Sequence, residues 1–266
     1  MKKYNYTIIG AGIVGLATAI NLLKKKPNSK ILVLEKEAVL GKHQTGNNSG
    51  VIHSGIYYKP GSAKAVNCKR GYRLLLDYCD ENGITYELCG KLIVATNKSE
   101  EAELDKILNR GIENGLENLK IIERDKIKEY EPYSAGTKAI YVPQTGIIDY
   151  SVVLNKFSET LRNQDCKIIF NSEVTDFKQK NDYVEIICSD KIYESEFVIS
   201  CTGLQSDRLA KKTKKDLNLR IIPFRGEYYK LREDKKHLVK TLIYPVPDPS
   251  FPFLGVHFTK KINCHK

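Results

Sequence analysis

Tyr6-Thr7-Ile8-Ile9-Gly10-Ala11-Gly12-Ile13-Val14-Gly15-Leu16 lies at the head of the chain and decides how its first fold unit is read. Tyr6 to Ile9 is a short β-favouring run, and Leu16 to Leu23 continues with helix-forming apolar residues up to Lys24-Lys25-Lys26. After the turn residues Pro27-Asn28-Ser29, the unbroken apolar run Ile31-Leu32-Val33-Leu34 suits a parallel strand buried on both faces. The expected unit is strand, helix, strand. Its chemistry follows from three glycines: Gly10 permits the tight turn, Gly12 lets backbone approach a pyrophosphate, and Gly15 lets the helix pack close on the strand. The helix start at Ile13 and Val14 then turns unpaired N–H groups and a positive dipole end toward the anion. Glu35, followed by Lys36, closes the second strand twenty residues beyond Gly15. A carboxylate there accepts both ribose hydroxyls of an adenosine and disfavours the 2′-phosphate of NADP.

Composition narrows the class. A chain of 266 residues with 41% hydrophobic content can bury a real core as one large domain or two small ones, and 28% charged residues without a low-complexity tract exclude a disordered or collagen-like chain. Forty-three Lys and Arg against 32 Asp and Glu leave a formal charge of +11. The lysines are spread along the chain with no recognition motif, so no nucleic acid is expected as a partner, although a basic surface permits peripheral contact with an anionic membrane face. Seven cysteines form no C-x-x-C pair and no metal-ligand spacing with the five histidines, so no metal is expected. Reduced thiols in a cytoplasmic compartment are the expectation. Met1-Lys2-Lys3 before the apolar run Tyr6 to Ile20 imitates a signal peptide, but the glycines, and lysines where a small-residue cleavage site belongs, favour the strand-turn-helix reading.

The fingerprint alone does not separate NAD from FAD; three downstream features favour FAD. The loop from Lys42 to Gly55 is rich in glycine, amide and hydroxyl groups, and His43, Gln44, Thr45, Asn48, Ser49 and Gly50 can line a diphosphate and lead toward a flavin ring. Cys166 to Phe170 and Asn171 to Phe177 read as short strands followed by Tyr183 to Cys188, with Val174 placed to meet the adenine through its backbone. Glu196 to Gly203 reads as a buried strand ending in Thr202-Gly203, with a helix starting at Leu204, which returns the chain to the nucleotide.

The fingerprint, the Thr202-Gly203 strand end and Ser206-Asp207-x-Leu209-Ala210 together resemble the FAD-dependent oxidoreductases of the D-amino-acid oxidase and glycerol-3-phosphate dehydrogenase superfamily. Two long motifs narrow the resemblance. His43-Gln44-Thr45-Gly46-x-Asn48-Ser49-Gly50-Val51-Ile52-His53-x-Gly55-x-Tyr57-Tyr58-x-Pro60-Gly61-Ser62 is one. Pro223-Phe224-Arg225-Gly226-Glu227-Tyr228-Tyr229 with the stretch Tyr244 to Thr259 is the other. Both are similar to the L-2-hydroxyglutarate oxidases and dehydrogenases, and the similarity runs from Tyr6 to Thr259. It implies oxidation of L-2-hydroxyglutarate to 2-oxoglutarate, with hydride passing from C2 to flavin N5 and the flavin reoxidised by oxygen, a quinone or another respiratory acceptor. An amino acid or glycerol 3-phosphate as substrate, or an inactive fragment, are the alternatives.

Such chemistry asks the protein for a base and for cations. Histidine, with an ordinary pKa of about 6.5, is the natural base, and His53 and His257 sit inside the family-like motifs. Arg225 is the candidate for holding a substrate carboxylate bidentately, with Tyr57 and Tyr244 as weaker candidates. His43 fits the nucleotide end of the loop, His237 reads as a surface residue, and His265 follows the point where the resemblance ends.

The expected architecture is α/β: a Rossmann-like FAD-binding domain from residues 1–80 and 150–220, and a discontinuous α+β substrate domain from 81–149 and 221–266 with a mainly antiparallel sheet. Within the latter, Gly90 to Thr96 and Lys138 to Val142 read as strands and Ser99 to Asn114 as a charged helix with Ser99 as N-cap. Strands from Ile221-Ile222 to Leu231 are expected to join a sheet that shields the flavin. Family members continue past the Val256 to Thr259 motif, whereas here the resemblance breaks at Lys260 to Lys266, so the sequence reads as roughly the first two-thirds of such an enzyme.

Overall fold

A computed structural model describes residues 3–164, 166–189, 191–248, 250 and 255–262. Pro249 and Phe251 to Leu254 of the second long motif, and His265, lie outside the described residues. In chain order the first half contains β1 (Tyr4–Ile9), α1 (Ile13–Lys25), β2 (Ile31–Leu34), β3 (Val51–Ile52), α2 (Ala63–Glu81), β4 (Tyr86–Glu87), β5 (Lys91–Ala95), α3 (Lys98–Glu113), β6 (Lys120–Glu123) and α4 (Ile127–Tyr130). The second contains β7 (Lys138–Val142), β8 (Gly146–Ile148), α5 (Tyr150–Arg162), β9 (Cys166–Ile169), β10 (Val174–Gln179), β11 (Val184–Cys188), β12 (Ile192–Ser200), α6 (Ser206–Thr213) and β13 (Leu242–Pro245). The chain divides into two compact units, Met1–Asn48 with Tyr150–Glu227, and Ser49–Asp149 with Tyr228–Lys266.

The first unit is built on a six-stranded sheet in the order β10-β11-β12-β1-β2-β9. The pairs β12–β1, β1–β2 and β2–β9 are parallel, while β10 and β11 run on antiparallel from β12. All four residues of β2 are fully buried, as an unbroken apolar run requires. Val33 packs with Leu16, Ala19, Leu23, Leu154 and Leu161 from α1 and α5, and Leu32 and Leu34 pack with Ile186 and Tyr193 on the opposite face. Burying each such side chain contributes about 1.5–3 kcal/mol. The glycine positions are enforced sterically: a Cβ on Gly15 would stand 1.9 Å from the Gly10 carbonyl oxygen. Gly10 itself has φ +103°, and its Cβ would meet the Cys201 carbonyl at 2.5 Å. β12 is less buried than its sequence suggests. Tyr193 and Ser195 are covered, but Phe197 is 60% exposed and stacks on Tyr6 at 5.6 Å.

The second unit holds a four-stranded sheet, β13-β5-β7-β6, and a three-stranded one, β3-β8-β4. All pairs are antiparallel except β13 with β5. β5 is buried throughout and alternates strictly. Leu92 and Val94 pack with Ile122, Ile127 and Ala139, while Ile93 and Ala95 pack with Ile56, Leu104 and Ile107.

Four expectations need correction. Residues 49–80 belong to the second unit, because β3 pairs with β8 and the Asn114 side chain donates to the carbonyls of Gly55 and Tyr58. The later boundary falls after Glu227 rather than at 220, with the Ile221 N–H donating to Asp207 in the first unit. The N-cap of α3 is Asn97, not Ser99: its side chain accepts from the Glu100 N–H, and Glu100 reaches back to accept from the Thr96 N–H at 2.7 Å. Finally, 221–231 forms no strand: a β-favouring run becomes one only where a ladder partner exists, and among the described residues none pairs with it. No helix among the described residues is long and apolar enough to cross a membrane.

Candidate functional site

A cavity of about 660 Å³ opens in the first unit at the C-terminal ends of β1, β2 and β12. Open α/β sheets bind ligands at that edge, where successive connections leave β1 in opposite directions. Gly10, Gly12, Ile13 and Val14 form one wall, Glu35 and Lys36 a second, and His43, Gln44, Thr45 and Asn48 a third. Val174, Thr202 and Gly203 complete the lining. Gly12 caps α1 without a side chain, so the first-turn donors stay directed into the cavity, and the Ile13 N–H donates to Thr45 Oγ1 at 3.1 Å, docking the loop on the helix start. The Glu35 carboxylate is fixed by two backbone donors, Ala11 N–H at 2.8 Å and Glu37 N–H at 3.0 Å, and retains lone pairs for further donors. His43 is engaged by Glu37 at 2.8 Å; Lys42, then His43, hold that carboxyl below its ordinary range.

Gly15 serves packing rather than lining, and Ser49 and Gly50 begin the second unit and do not line this cavity. Sequence reasoning missed Tyr150, Ser172 and Cys201 on the wall, and also Arg208 and Lys212. The last two carried a readable signal: they stand four residues apart on α6 and so share a face.

In the second unit a cluster forms around Lys91, a residue the sequence reading passed over. Lys91 heads β5 in phase with the inward Ile93 and Ala95, and is 1% exposed. Its Nζ lies 4.4 Å from the ring centre of Tyr57 and 5.1 Å from that of Tyr244. Burial lowers its pKa from 10.5 to about 7. Tyr57 presents a buried hydroxyl with no hydrogen-bond partner, and burial pushes its phenol upward, so it remains a donor. The Tyr244 ring packs on His257 at 4.5 Å. His257 Nδ1 lies 2.9 Å from the Gly255 carbonyl oxygen. A carbonyl only accepts, so Nδ1 carries the hydrogen of that contact. For His53, packing around the imidazole, then the charges of Lys91 and His257, lower the pKa to about 4. The residue keeps solvent access, and the two basic neighbours lower the pKa in the same direction as the packing. The structure thus brings His53, His257, Tyr57 and Tyr244 together. Arg225 belongs to the first unit, where its exposed guanidinium pairs with Glu227 at 2.8 Å. His237 is exposed and edge-on to Tyr133.

Comparison with known proteins identifies the scaffold. The chain is 49% identical to the L-2-hydroxyglutarate dehydrogenase of Indibacter alkaliphilus over 98% of its own length and 65% of that protein. It is 45% identical to the mitochondrial L-2-hydroxyglutarate dehydrogenase of Caenorhabditis briggsae over 99% of the chain and 62% of the relative. The chain therefore spans less than two thirds of the length of these relatives. Among solved structures, the dithionite-reduced L-alpha-glycerophosphate oxidase from Mycoplasma pneumoniae with FAD bound superposes with a TM-score of 0.80 over 93% of this chain and 66% of that one, at 24% identity, a likeness of fold. The family model described as FAD dependent oxidoreductase matches residues 5–264, and the chain belongs to that family.

Proposed function

We propose that this chain carries the machinery for oxidising L-2-hydroxyglutarate to 2-oxoglutarate with FAD, and the observation that carries the reading is the 49% identity to a curated L-2-hydroxyglutarate dehydrogenase across 98% of the chain. The cavity of the first unit fits the cofactor's nucleotide half. A glycine-capped helix start suits the pyrophosphate, the doubly anchored Glu35 carboxylate suits the ribose hydroxyls, and the Val174 backbone suits the adenine. Thr202, Gly203 and His43, Gln44, Thr45 and Asn48 of the loop line the remaining length. When bound, FAD supplies a two-electron acceptor for the hydride that leaves substrate C2.

The protein's own contribution is proton handling and orientation. His53, unprotonated down to about pH 4, takes the proton of the C2 hydroxyl, and His257 presents Nε2 to the same region. Tyr57, Tyr244 and Arg225 are the contacts proposed for the carboxylates. Oxygen or a quinone is the proposed final acceptor, with the basic surface suited to a membrane-peripheral one. The thiols of the six described cysteines suit a reducing, cytoplasmic setting.

The test is anaerobic bleaching of the FAD-loaded chain by L-2-hydroxyglutarate, an amino acid or glycerol 3-phosphate. We expect bleaching by the hydroxy acid alone, and His53→Gln should slow it by roughly a hundredfold or more without releasing FAD. Faster bleaching by an amine or by glycerol 3-phosphate rejects the substrate assignment.

A further inference from the structure

We infer that Lys91 is the cation that receives one carboxylate of the substrate, with the Tyr57 hydroxyl as a second donor to the same group; the inference rests on the dicarboxylate reading above. Its first support is an imbalance of donors and acceptors. An ammonium has three N–H donors and no acceptor. Lys91 is buried, and among the described residues no carboxylate lies within ion-pair distance of its Nζ. The faces of Tyr57 and Tyr244 attract the charge but accept no full hydrogen bonds, so they replace only part of its lost hydration.

The second support is independent. Tyr57, whose ring lies under the same ammonium, carries its own buried hydroxyl without a partner. Two donors left open in one cluster want an acceptor-only group, and a carboxylate, with two oxygens and about four lone-pair sites, satisfies both. The neighbouring groups do not compete for that role. His53 and His257 are basic, and the Cys68 thiol donates to the His53 carbonyl oxygen.

Strand geometry argues against a merely structural lysine. β5 alternates between two apolar clusters, and Lys91 occupies the phase of Ile93 and Ala95, where a methionine would satisfy packing at no electrostatic cost. Gly90, at φ +78° and with Tyr141 where a Cβ would stand, fixes the backbone from which Lys91 projects. The side chain is therefore held on a rigid strand beside two imidazoles, where a bound hydroxy acid needs its carboxylate anchored.

The probe is glutarate, which has both carboxylates but no hydroxyl to oxidise, titrated calorimetrically into the FAD-loaded chain. Lys91→Met should weaken glutarate binding by roughly ten- to a hundredfold, and Tyr57→Phe by roughly threefold to tenfold, with FAD affinity unchanged in both. If the wild-type chain binds no glutarate, or Lys91→Met binds it as the wild type does, the inference is overturned. Should Lys91→Met fail to fold, Tyr57→Phe decides, and unchanged glutarate affinity there overturns it equally. The two readings fail differently. Lys91-dependent glutarate binding without bleaching by L-2-hydroxyglutarate leaves the anion site standing and removes the substrate assignment. Bleaching by L-2-hydroxyglutarate with the same KM in Lys91→Met keeps the assignment and removes Lys91.

Discussion

Lys91 destabilises the folded chain whenever its ammonium is protonated, and the pH range of that cost is set by its shift from 10.5 to about 7. Between those values the unfolded chain holds a proton that the folded chain lacks, so this group makes stability rise with pH across the window, while below about pH 7 the penalty is fully present. At about 1.4 kcal/mol per pKa unit the effect reaches several kcal/mol. Lys91→Met should therefore be more stable than the wild type, with the widest gap below pH 7 and convergence as pH approaches 10. Of the groups facing Lys91, Cys68 on α2 would pull the other way only as a thiolate, and burial pushes its thiol upward; His53 is already neutral in this window. Denaturant midpoints measured along the pH scale give the answer, and a gap that widens with pH would contradict the burial argument. Sequence alone hid this residue because a lysine opening a strand reads as a solvated end. The clue, Lys91 in phase with Ile93 and Ala95, becomes visible only once both faces of β5 are known to be covered.

Among the elements, β13 depends on one buried carboxylate. Glu131, fully buried just beyond α4, accepts from the Lys240 N–H at 3.2 Å, the Thr241 N–H at 2.5 Å and the Thr241 hydroxyl at 2.7 Å. These bonds fix the residues leading into β13 and thereby the position of Tyr244 beside β5. Glu131→Ala leaves those donors without an acceptor, each orphan costing about 1–3 kcal/mol, so a loss of roughly 3 kcal/mol or more is expected in chemical denaturation. Weaker glutarate binding should accompany it. A loss under about 1 kcal/mol would mean that water reaches the vacated donors. No pattern in the sequence links Glu131 to Thr241, because the contact spans 110 positions. The same limit explains residues 221–231, whose β-favouring side chains meet no ladder partner among the described residues. The α3 cap was a smaller miss: Asn97 and Ser99 are both good caps, and only the hydrogen bond from Glu100 chooses between them.

Over the whole molecule, the βαβ unit from Tyr4 to Leu34 was legible because every signal in it is local: buried-strand composition, glycine spacing and a closing acid. The sheet that completes it was only partly so, since β2 finds β9 and β1 finds β12 across more than a hundred residues, with Ile31 opposite Cys166 and Tyr6 opposite Phe197. Charge is the property that belongs to no single element. The formal excess of +11 is spread along the chain, but Lys36, Lys42, Arg208 and Lys212 outnumber Glu35 and Glu173 around the cavity of the first unit, so the general field and the local one have the same sign for an anionic ligand. Such a field raises encounter rates and is screened by salt, with a screening length that falls from about 30 Å at 0.01 M to about 8 Å at 0.15 M. The association rate constant for FAD, followed by quenching of flavin fluorescence in stopped flow, should therefore drop several-fold over that range. The dissociation rate should change far less, because the contacts made once FAD is held are short and less screened. A salt-independent association rate would show that the distributed lysines cancel at the cavity mouth and that the basic composition plays no part in capturing the cofactor.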